Sequence, residues 1–487
     1  MTSITFGSFS QAFPITNEAE AAITKYSDPF TYGEKMKIAD GSHGSEIWEV
    51  KATLDSKEFA LKNIPEEKRA MTEFAAYRRF EDQSIIRCYS FKKGDNGYEL
   101  LLEKGECSLY ELIKVCNGGS PIHQNANRQK FLIWAKKDVK LWEPFFNPAG
   151  GSSLRPNKTP TTTLLSLIRD IIKGVIYLHK MGVAHGRLNP NNILIFKDRD
   201  NGLRAKLSHF CCSSSGTPGW LSPEQVKGQQ GDMSSDKYVL GLLLSYCMIG
   251  EHLMGNFMSF DRYGEMNAND ASLCKEIIKA KALRLPHLET KLIPEAISLV
   301  QGLMTNKPED RLSLKTLGLE HPIFWSNFKR ARLICEKHNW LKHSKNSHAV
   351  TYLDTTKKGD ILKGVDWRKH INKKLCDKYK ENKIKQKNQE ALSSSVVGGS
   401  PAVSGSSVGS SVVSGSVTSL IWFIRNVTQH FKDYEDEFKG VGVKNVGEAW
   451  SYFLVRFPNL VVECFNYVKN HLLDNEQFED FLLPLQG

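Results

Sequence analysis

The sequence predicts an α+β chain in two units. The first is two-lobed, a small antiparallel sheet followed by a larger helical body, and the second is all-α. Three observations carry this. From Tyr32 to about Lys104, short apolar stretches alternate with turns, as in a small sheet, and Glu66–Phe80 supplies one helix within it. Thr163 then caps a strongly periodic helix with Leu164, Ile168, Ile171, Ile172, Val175 and Leu178 on one face, and Asp236–Ile249 is apolar nearly all round, the mark of a buried central helix. Beyond Trp325 the texture changes again, to basic and helical.

In chain order, residues 1–30 carry no clear period and read as a loose lead-in. Cys116–Pro160, rich in Gly, Asn and Pro, reads as an insertion with a short helix over Lys130–Trp142. Residues 292–325 read as further helices ending at His321-Pro-Ile-Phe-Trp325. Arg368–Lys387 is a basic helical stretch, either a solvated face or a contact for RNA phosphates, and the solvated face is the favoured reading. No charged residue occurs between Glu390 and Arg425, and Ser393–Ser416 is almost entirely Ser, Gly and Val, the composition of a flexible insertion. Helices resume at Leu420–Phe431, Glu448–Phe457 and Leu460–Leu473, where Phe453, Phe457, Leu460, Cys464, Phe465 and Val468 read as core.

With 487 residues the chain is long enough for two or three cored domains. Hydrophobic (40%) and charged (24%) contents are ordinary for globular protein, so neither a disordered nor a membrane class is favoured. The net charge of +11 leans mildly towards phosphate-bearing partners. Ten cysteines are scattered with no C-x-x-C or Cys/His pattern, which argues against a zinc site or a disulfide framework. The start lacks a secretory pattern, and the best apolar run, Tyr238–Ile249, falls short of a membrane span. A reduced, cytoplasmic protein without direct membrane insertion is the expectation.

Several stretches of the first unit resemble protein kinases. Ile38-Ala39-Asp40-Gly41-Ser42-His43-Gly44 is similar to the glycine-rich loop, with Ala39 in place of the first glycine; an ungapped count puts Glu46 where an apolar residue usually covers the adenine. Phe59-Ala60-Leu61-Lys62 fits the V-A-I-K strand, with Glu73 on the next helix as its ion-pair partner and Glu103–Ser108 as the hinge. Ser222-Pro223-Glu224 matches A-P-E, Asp236 and Arg311 match anchors of the large lobe, and the resemblance implies a Glu224–Arg311 pair. Ala39, Gly41, Gly44, Lys62, Glu73 and Asn192 are therefore the candidate ATP contacts.

The chemical positions differ. His185-Gly-Arg187-Leu-Asn-Pro-Asn-Asn192 aligns with H-R-D-L-K-P-x-N, so Arg187 stands where the catalytic aspartate accepts a proton, and a guanidinium accepts none. Lys206-Leu-Ser-His209-Phe-Cys211 aligns with the strand ending in D-F-G, so His209 replaces the Mg²⁺-binding aspartate; a neutral imidazole suits a hard, oxygen-seeking cation poorly. Only fifteen positions separate His209 from Glu224, too few for an ordinary activation segment. The expectation is a pseudokinase with no metal site and no Mg-dependent catalysis, in which Asn192 and Lys62 leave weak ATP binding open.

A further set of motifs occurs in order: His321-Pro-Ile-Phe-Trp325, Val365-Asp-Trp367, Leu420-Ile-Trp-Phe-Ile-Arg425-Asn426-Val-Thr-Gln-His430 and Arg456-Phe-Pro-Asn-Leu460. With the first unit, they resemble the inositol-requiring sensor of the unfolded protein response, closest to its plant versions, and ribonuclease L. The resemblance implies a two-lobed protein-kinase fold (31–325) followed by an all-α kinase-extension nuclease (KEN-type) domain (326–487) carrying a Ser/Gly-rich insertion (391–418). It implies back-to-back dimers, as a homodimer or with a full-length sensor, and a composite RNA site. Arg425 would hold the scissile phosphate, Asn426 would orient phosphate or ribose, and His430 would be general acid. The family's catalytic tyrosine falls on Val412 by ungapped match, and Tyr379 is the nearest upstream alternative. The sensor's lumenal and membrane segments have no counterpart in the sequence, so recruitment to the endoplasmic reticulum surface would be through a partner. Two functions stay open: a catalytically inactive regulatory or dimerisation module, and a pseudokinase-controlled endoribonuclease using Arg425, Asn426 and His430.

Overall fold

A computed structural model describes most of residues 32–253 and 293–472; among those outside it are 42–43, 122–124, 145–157, 211–215, 315–320 and 397–414. The lead-in 1–30, Cys211 and Val412 thus lie outside the described residues. The chain divides into units 1–318 and 319–487.

The first unit opens with strands β1 (Tyr32–Asp40), β2 (Glu46–Ala52) and β3 (Glu58–Ile64), helix α1 (Glu67–Arg79), then β4 (Cys88–Gly94) and β5 (Gly97–Glu103). The strands form one antiparallel sheet in the order β1-β2-β3-β5-β4. Val50, Phe59, Leu61 and Leu101 close a small apolar core on one face, and Phe74 of α1 stacks on Phe91 of β4. Strand β6 (Cys107–Ser108) leads into α2 (Leu109–Cys116), whose start is a full capping box of Ser108 and Glu111.

The described part of the insertion holds more regular structure than its composition suggests. Helix α3 runs over Ala126–Asp138 rather than Lys130–Trp142, because Asn125 caps it by accepting from Arg128 N at 2.9 Å. Trp142 lies instead in β7 (Trp142–Pro144), paired with β8 (Lys158–Pro160), and its indole N–H donates to Cys247 O at 3.1 Å. Asn125 also donates to the buried Glu49 at 2.7 Å, and Asn127 to Glu58 at 3.1 Å, tying the insertion to β2 and β3. These long-range polar bonds leave no periodic trace in the sequence.

Helix α4 (Thr162–Lys180) starts two residues earlier than expected, since Thr161 accepts from Leu164 N. Its apolar face packs on β10 (Leu203–Leu207), which forms a three-stranded sheet with β9 (Ile193–Lys197) and β6. Helix α5 (Pro223–Val226) precedes α6 (Met233–Ile249), capped by Asp232 and buried on nearly every side, and α7 (Pro294–Leu303) packs against α6.

The second unit is helical throughout its described residues: α8 (Asn327–His343), α9 (Ser347–Thr351), a π turn over Tyr352–Thr356, α10 (Lys358–Leu362), α11 (Lys373–Val396), α12 (Val417–Gln429), α13 (Glu435–Lys439), α14 (Val446–Arg456) and α15 (Asn459–His471). His321 and Trp325 set their rings against Phe465, so this segment packs into the second unit. The basic helix starts at Lys373, after a 3₁₀ turn over Trp367–His370, and continues to Val396. Ser416 caps α12 through Ser419 N, so both ends of the expected 391–418 insertion are helical.

Candidate functional sites

In the first unit, strand alternation sets which side chains share a face. Lys62 pairs across β2 with Ile47, so Ile47 shares its face; Glu46 sits opposite Asn63 and ion-pairs with Lys37 at 2.7 Å. The residue over the cleft beside Lys62 is therefore the apolar Ile47, and the ungapped choice of Glu46 is off by one. Ala39 lies opposite Ile47 on β1. Gly41 N donates to Ser45 O at 2.7 Å, and a Cβ at Gly41 would fall 2.2 Å from Ser45 Oγ; Gly44 has φ +72°. Both glycines thus serve a tight local turn.

Lys62 Nζ lies 2.6 and 2.8 Å from the carboxylate oxygens of Glu73, with both side chains 1% exposed. Burial pushes the Glu73 carboxyl up, but Lys62 outweighs it and holds the group below its ordinary value. The ammonium expected to meet phosphates is already paired.

His209 sits at φ +58°, the left-handed region, with its backbone N–H donating to Tyr77 OH at 3.4 Å. The next residue, Phe210, is buried edge-on against Tyr77, Phe80 and His185. Sequence reading missed Tyr77 and Phe80, for nothing but their apolar spacing on α1 distinguishes them. Burial first, then Lys62 and Arg187, lower the His209 pKa to about 3 against the opposing pull of Glu73, so the ring is neutral at ordinary pH. Asn192 donates to Arg187 O at 2.8 Å, which turns its amide towards the loop backbone. Buried Asp236 accepts from His185 N at 2.6 Å, Gly186 N at 3.0 Å and His179 at 2.8 Å, holding that loop. Arg311 grips Glu224 at 2.5 and 2.7 Å, and despite burial the Glu224 carboxyl falls to about 2. The donor set at the chemical positions, one imidazole, one guanidinium and a backbone-bonded amide, does not fit Mg²⁺, which wants several oxygens in octahedral array. Among the described residues no group of three or more His, Cys, Asp or Glu is arranged to hold a metal.

In the second unit, α12 presents Trp422, Arg425, Asn426, Gln429 and His430 on one face, while Ile421, Phe423, Ile424, Val427 and Thr428 are buried. Arg425 Nη1 donates to Asn426 Oδ1 at 3.0 Å, and Asn426 Nδ2 donates to Tyr379 OH on α11 at 3.3 Å. His430 ends the helix with a side chain 61% exposed, Nδ1 being 4.0 Å from Asp433. The structure thus brings Arg425 and Asn426 into one hydrogen-bonded set with Tyr379, and leaves His430 at its rim.

The folds and sites define a kinase-like domain followed by a helical nuclease-type domain. The protein kinase domain family matches residues 150–324, and the ribonuclease 2-5A family matches 332–482. The serine/threonine-protein kinase/endoribonuclease IRE1 of Oryza sativa is 23% identical over 473 residues, 92% of this chain and 44% of that protein. An inactive serine/threonine-protein kinase/endoribonuclease IRE1-like protein of Arabidopsis thaliana is 27% identical over 431 residues, 82% of this chain and 68% of that protein. A sensor for unfolded proteins in the ER of Schizosaccharomyces pombe is 21% identical over 493 residues, 91% of this chain and 38% of that protein. Over most of its length the chain is similar to Ire1-type kinase/endoribonucleases, and it spans about half the length of several curated relatives it matches. Among the described residues no helix is long and apolar enough to cross a membrane.

Proposed function

We propose that this chain is a kinase-inactive regulatory module, which keeps the kinase scaffold in order to pair with a second Ire1-type subunit and tune it. The observation that carries this reading is the pair of residues at the chemical positions, Arg187 and His209. A positioned base contributes ~10²–10⁴-fold to proton transfer, and Arg187 cannot act as one. Its charge also opposes a cation in the cleft: two unit charges ~4 Å apart repel by ~4 kcal/mol at an effective dielectric of ~20. The scaffold pairs Lys62–Glu73 and Glu224–Arg311 are meanwhile intact. ATP, where it binds, would be held weakly against Lys62 without a metal bridge. A partner would supply contact with the endoplasmic reticulum. The test is co-purification with the cytosolic region of a full-length sensor, together with a radiolabelled autophosphorylation assay. Absence of association at micromolar concentration, or stoichiometric autophosphorylation by the pure chain, overturns the reading.

A second reading is favoured by one contact, the Tyr379 hydroxyl on Asn426. It makes α12 a ribonuclease site. Arg425 would neutralise the scissile phosphate, Asn426 would orient it, and His430 would protonate the leaving 5′-oxygen while the ribose 2′-hydroxyl, giving its proton to solvent water, attacks phosphorus. The products would be a cyclic phosphate and a free 5′-hydroxyl. Stem-loop RNA incubated without metal, at protein concentrations that force dimers, tests it. Equal cleavage by wild type and His430→Ala removes it.

A further inference from the structure

We propose that Lys337 is a pH-sensitive switch in the second unit: its uncharged amine lets α8 pack into the core, and proton uptake loosens α8 and, with it, α12. The proposal stands whether or not α12 acts on RNA. Leu333, Ile334 and Trp340 of α8 are buried at helical spacing, and Lys337 occupies the position between them where the period calls for an apolar side chain. Its side chain is wholly buried, and its Nζ has no hydrogen-bond partner. Nζ lies instead 3.4 Å from the ring centre of Tyr467 on α15 and 4.5 Å from that of Trp340. A ring face attracts an ammonium, but two faces replace only part of the three hydrogen bonds it makes in water. This cage therefore favours the free amine.

Among the described residues, nothing around the cage supplies a counter-charge. On α15, burial pushes the Cys464 thiol up to about 12 and raises Tyr467 as well, so both stay neutral. Glu463 accepts from Tyr352 OH at 3.1 Å and pairs with Lys357 at 3.6 Å. Asp354 of the π turn accepts from Thr418 N at 2.9 Å, and Glu448 of α14 from Lys444 N at 2.7 Å. His348 of α9, which meets Tyr467 OH at 3.2 Å, can only add positive charge, as can His471 and Lys469 of α15, Arg425 of α12 and Arg456 of α14. On α8 itself, Glu336 and His338 leave the helix about 100° to either side of Lys337. Burial accordingly lowers the Lys337 pKa from 10.5 to about 7, against the opposing pull of Cys464. A charge gained there reaches α12 through the next residue: His338 sets its ring 4.9 Å from Trp422, and α8 packs on α12.

The experiment is hydrogen exchange with mass spectrometry on the full chain across a urea series at pH 7.5 and 8.5, corrected for intrinsic exchange rates. Peptides of α8 and α15 give the unfolding constant of the second unit. Lys337 releases its proton near pH 7 when folded and near 10.5 when unfolded. Its contribution to stability is therefore full above 10.5 and is lost as pH falls towards 7. The raised thiols of Cys335, Cys376 and Cys464 act the opposite way above about pH 8.5, so wild type is read against Lys337→Met in one window. The ratio of the wild-type to the Lys337→Met unfolding constant should fall about 8-fold from pH 7.5 to 8.5. Lys337→Met should be the more stable protein at pH 7.5, and α8 and α12 should lose protection at the lower pH in wild type alone. Lys337→Leu repeats the test should the methionine fail to pack. A constant ratio overturns the proposal, since Lys337 then changes no charge in that window. So does a Lys337→Met chain less stable than wild type at pH 7.5, because the rings then hold an ammonium. A falling ratio with unchanged protection of α12 also overturns it, leaving a titrating side chain and no switch.

Discussion

Asn426 donates its side-chain amide to the hydroxyl of Tyr379 at 3.3 Å, joining α12 to α11 at the residue pair where an RNA phosphate would sit. Tyr379 is 7% exposed, its ring edge-on to Phe423, and burial raises its pKa even though Asn426 favours the phenolate. On the ribonuclease reading it would position Asn426 rather than act as a base.

Tyr379→Phe should leave the fold intact, at a cost of about 1 kcal/mol for one lost hydrogen bond, and free the Asn426 amide. If RNA is cleaved, kcat should fall more than KM rises. A single-turnover assay beside a urea titration checks both.

On the kinase-inactive reading, phosphoryl transfer should return only when both carboxylates are restored. His209→Asp alone should give no phosphoryl transfer, since Arg187 still supplies neither base nor tolerance for a cation. His209→Asp with Arg187→Asp should raise transfer above background, by ~10²-fold or more from the base alone. Radiolabelled ATP with Mg²⁺ measures it.

The Glu224–Arg311 pair has its guanidinium fully buried and its carboxylate 12% exposed. Glu224→Ala would strand that cation, which costs ~3–5 kcal/mol when a buried partner is removed. The urea midpoint of the first unit should drop accordingly, while exposed Lys51→Ala, whose pair with Glu58 is largely solvated, should change it little.

Acid should destabilise both units before most carboxylates titrate. Burial lowers His185 to about 4, against the pull of Asp236, and lowers His321 to about 3 with help from Lys469 and Arg330. Unfolded, both take protons near 6.5. Below that the unfolded state binds protons that the folded state refuses, so stability is full above pH 6.5 and declines as pH falls towards 4. Each ring contributes ~1.4 kcal/mol per pH unit in that window. His321→Asn, which keeps an acceptor for Ile323 N, should flatten the slope for the second unit in urea titrations at pH 7, 6 and 5.

Local signals made much of this chain legible from its residues. Helix α6 shows in a run of apolar side chains, α12 in its period, and the kinase likeness in Phe59–Lys62 and Ser222–Glu224. The substitutions Arg187 and His209 needed only position, because an arginine accepts no proton and an imidazole is no hard-cation ligand whatever surrounds them.

Tertiary structure alone decided the rest. Ile47, not Glu46, faces Lys62 because strand register sets the face. The described helix of the insertion is tied to the sheet because Asn125 finds Glu49 across 76 residues of chain. Tyr379 meets Asn426 because α11 and α12 pack, although a tract almost without charge lies between them. Residue type and short-range period encode which elements form and what each side chain can do chemically. Which distant groups come within 3 Å depends on packing, where one residue's slip of register changes every partner.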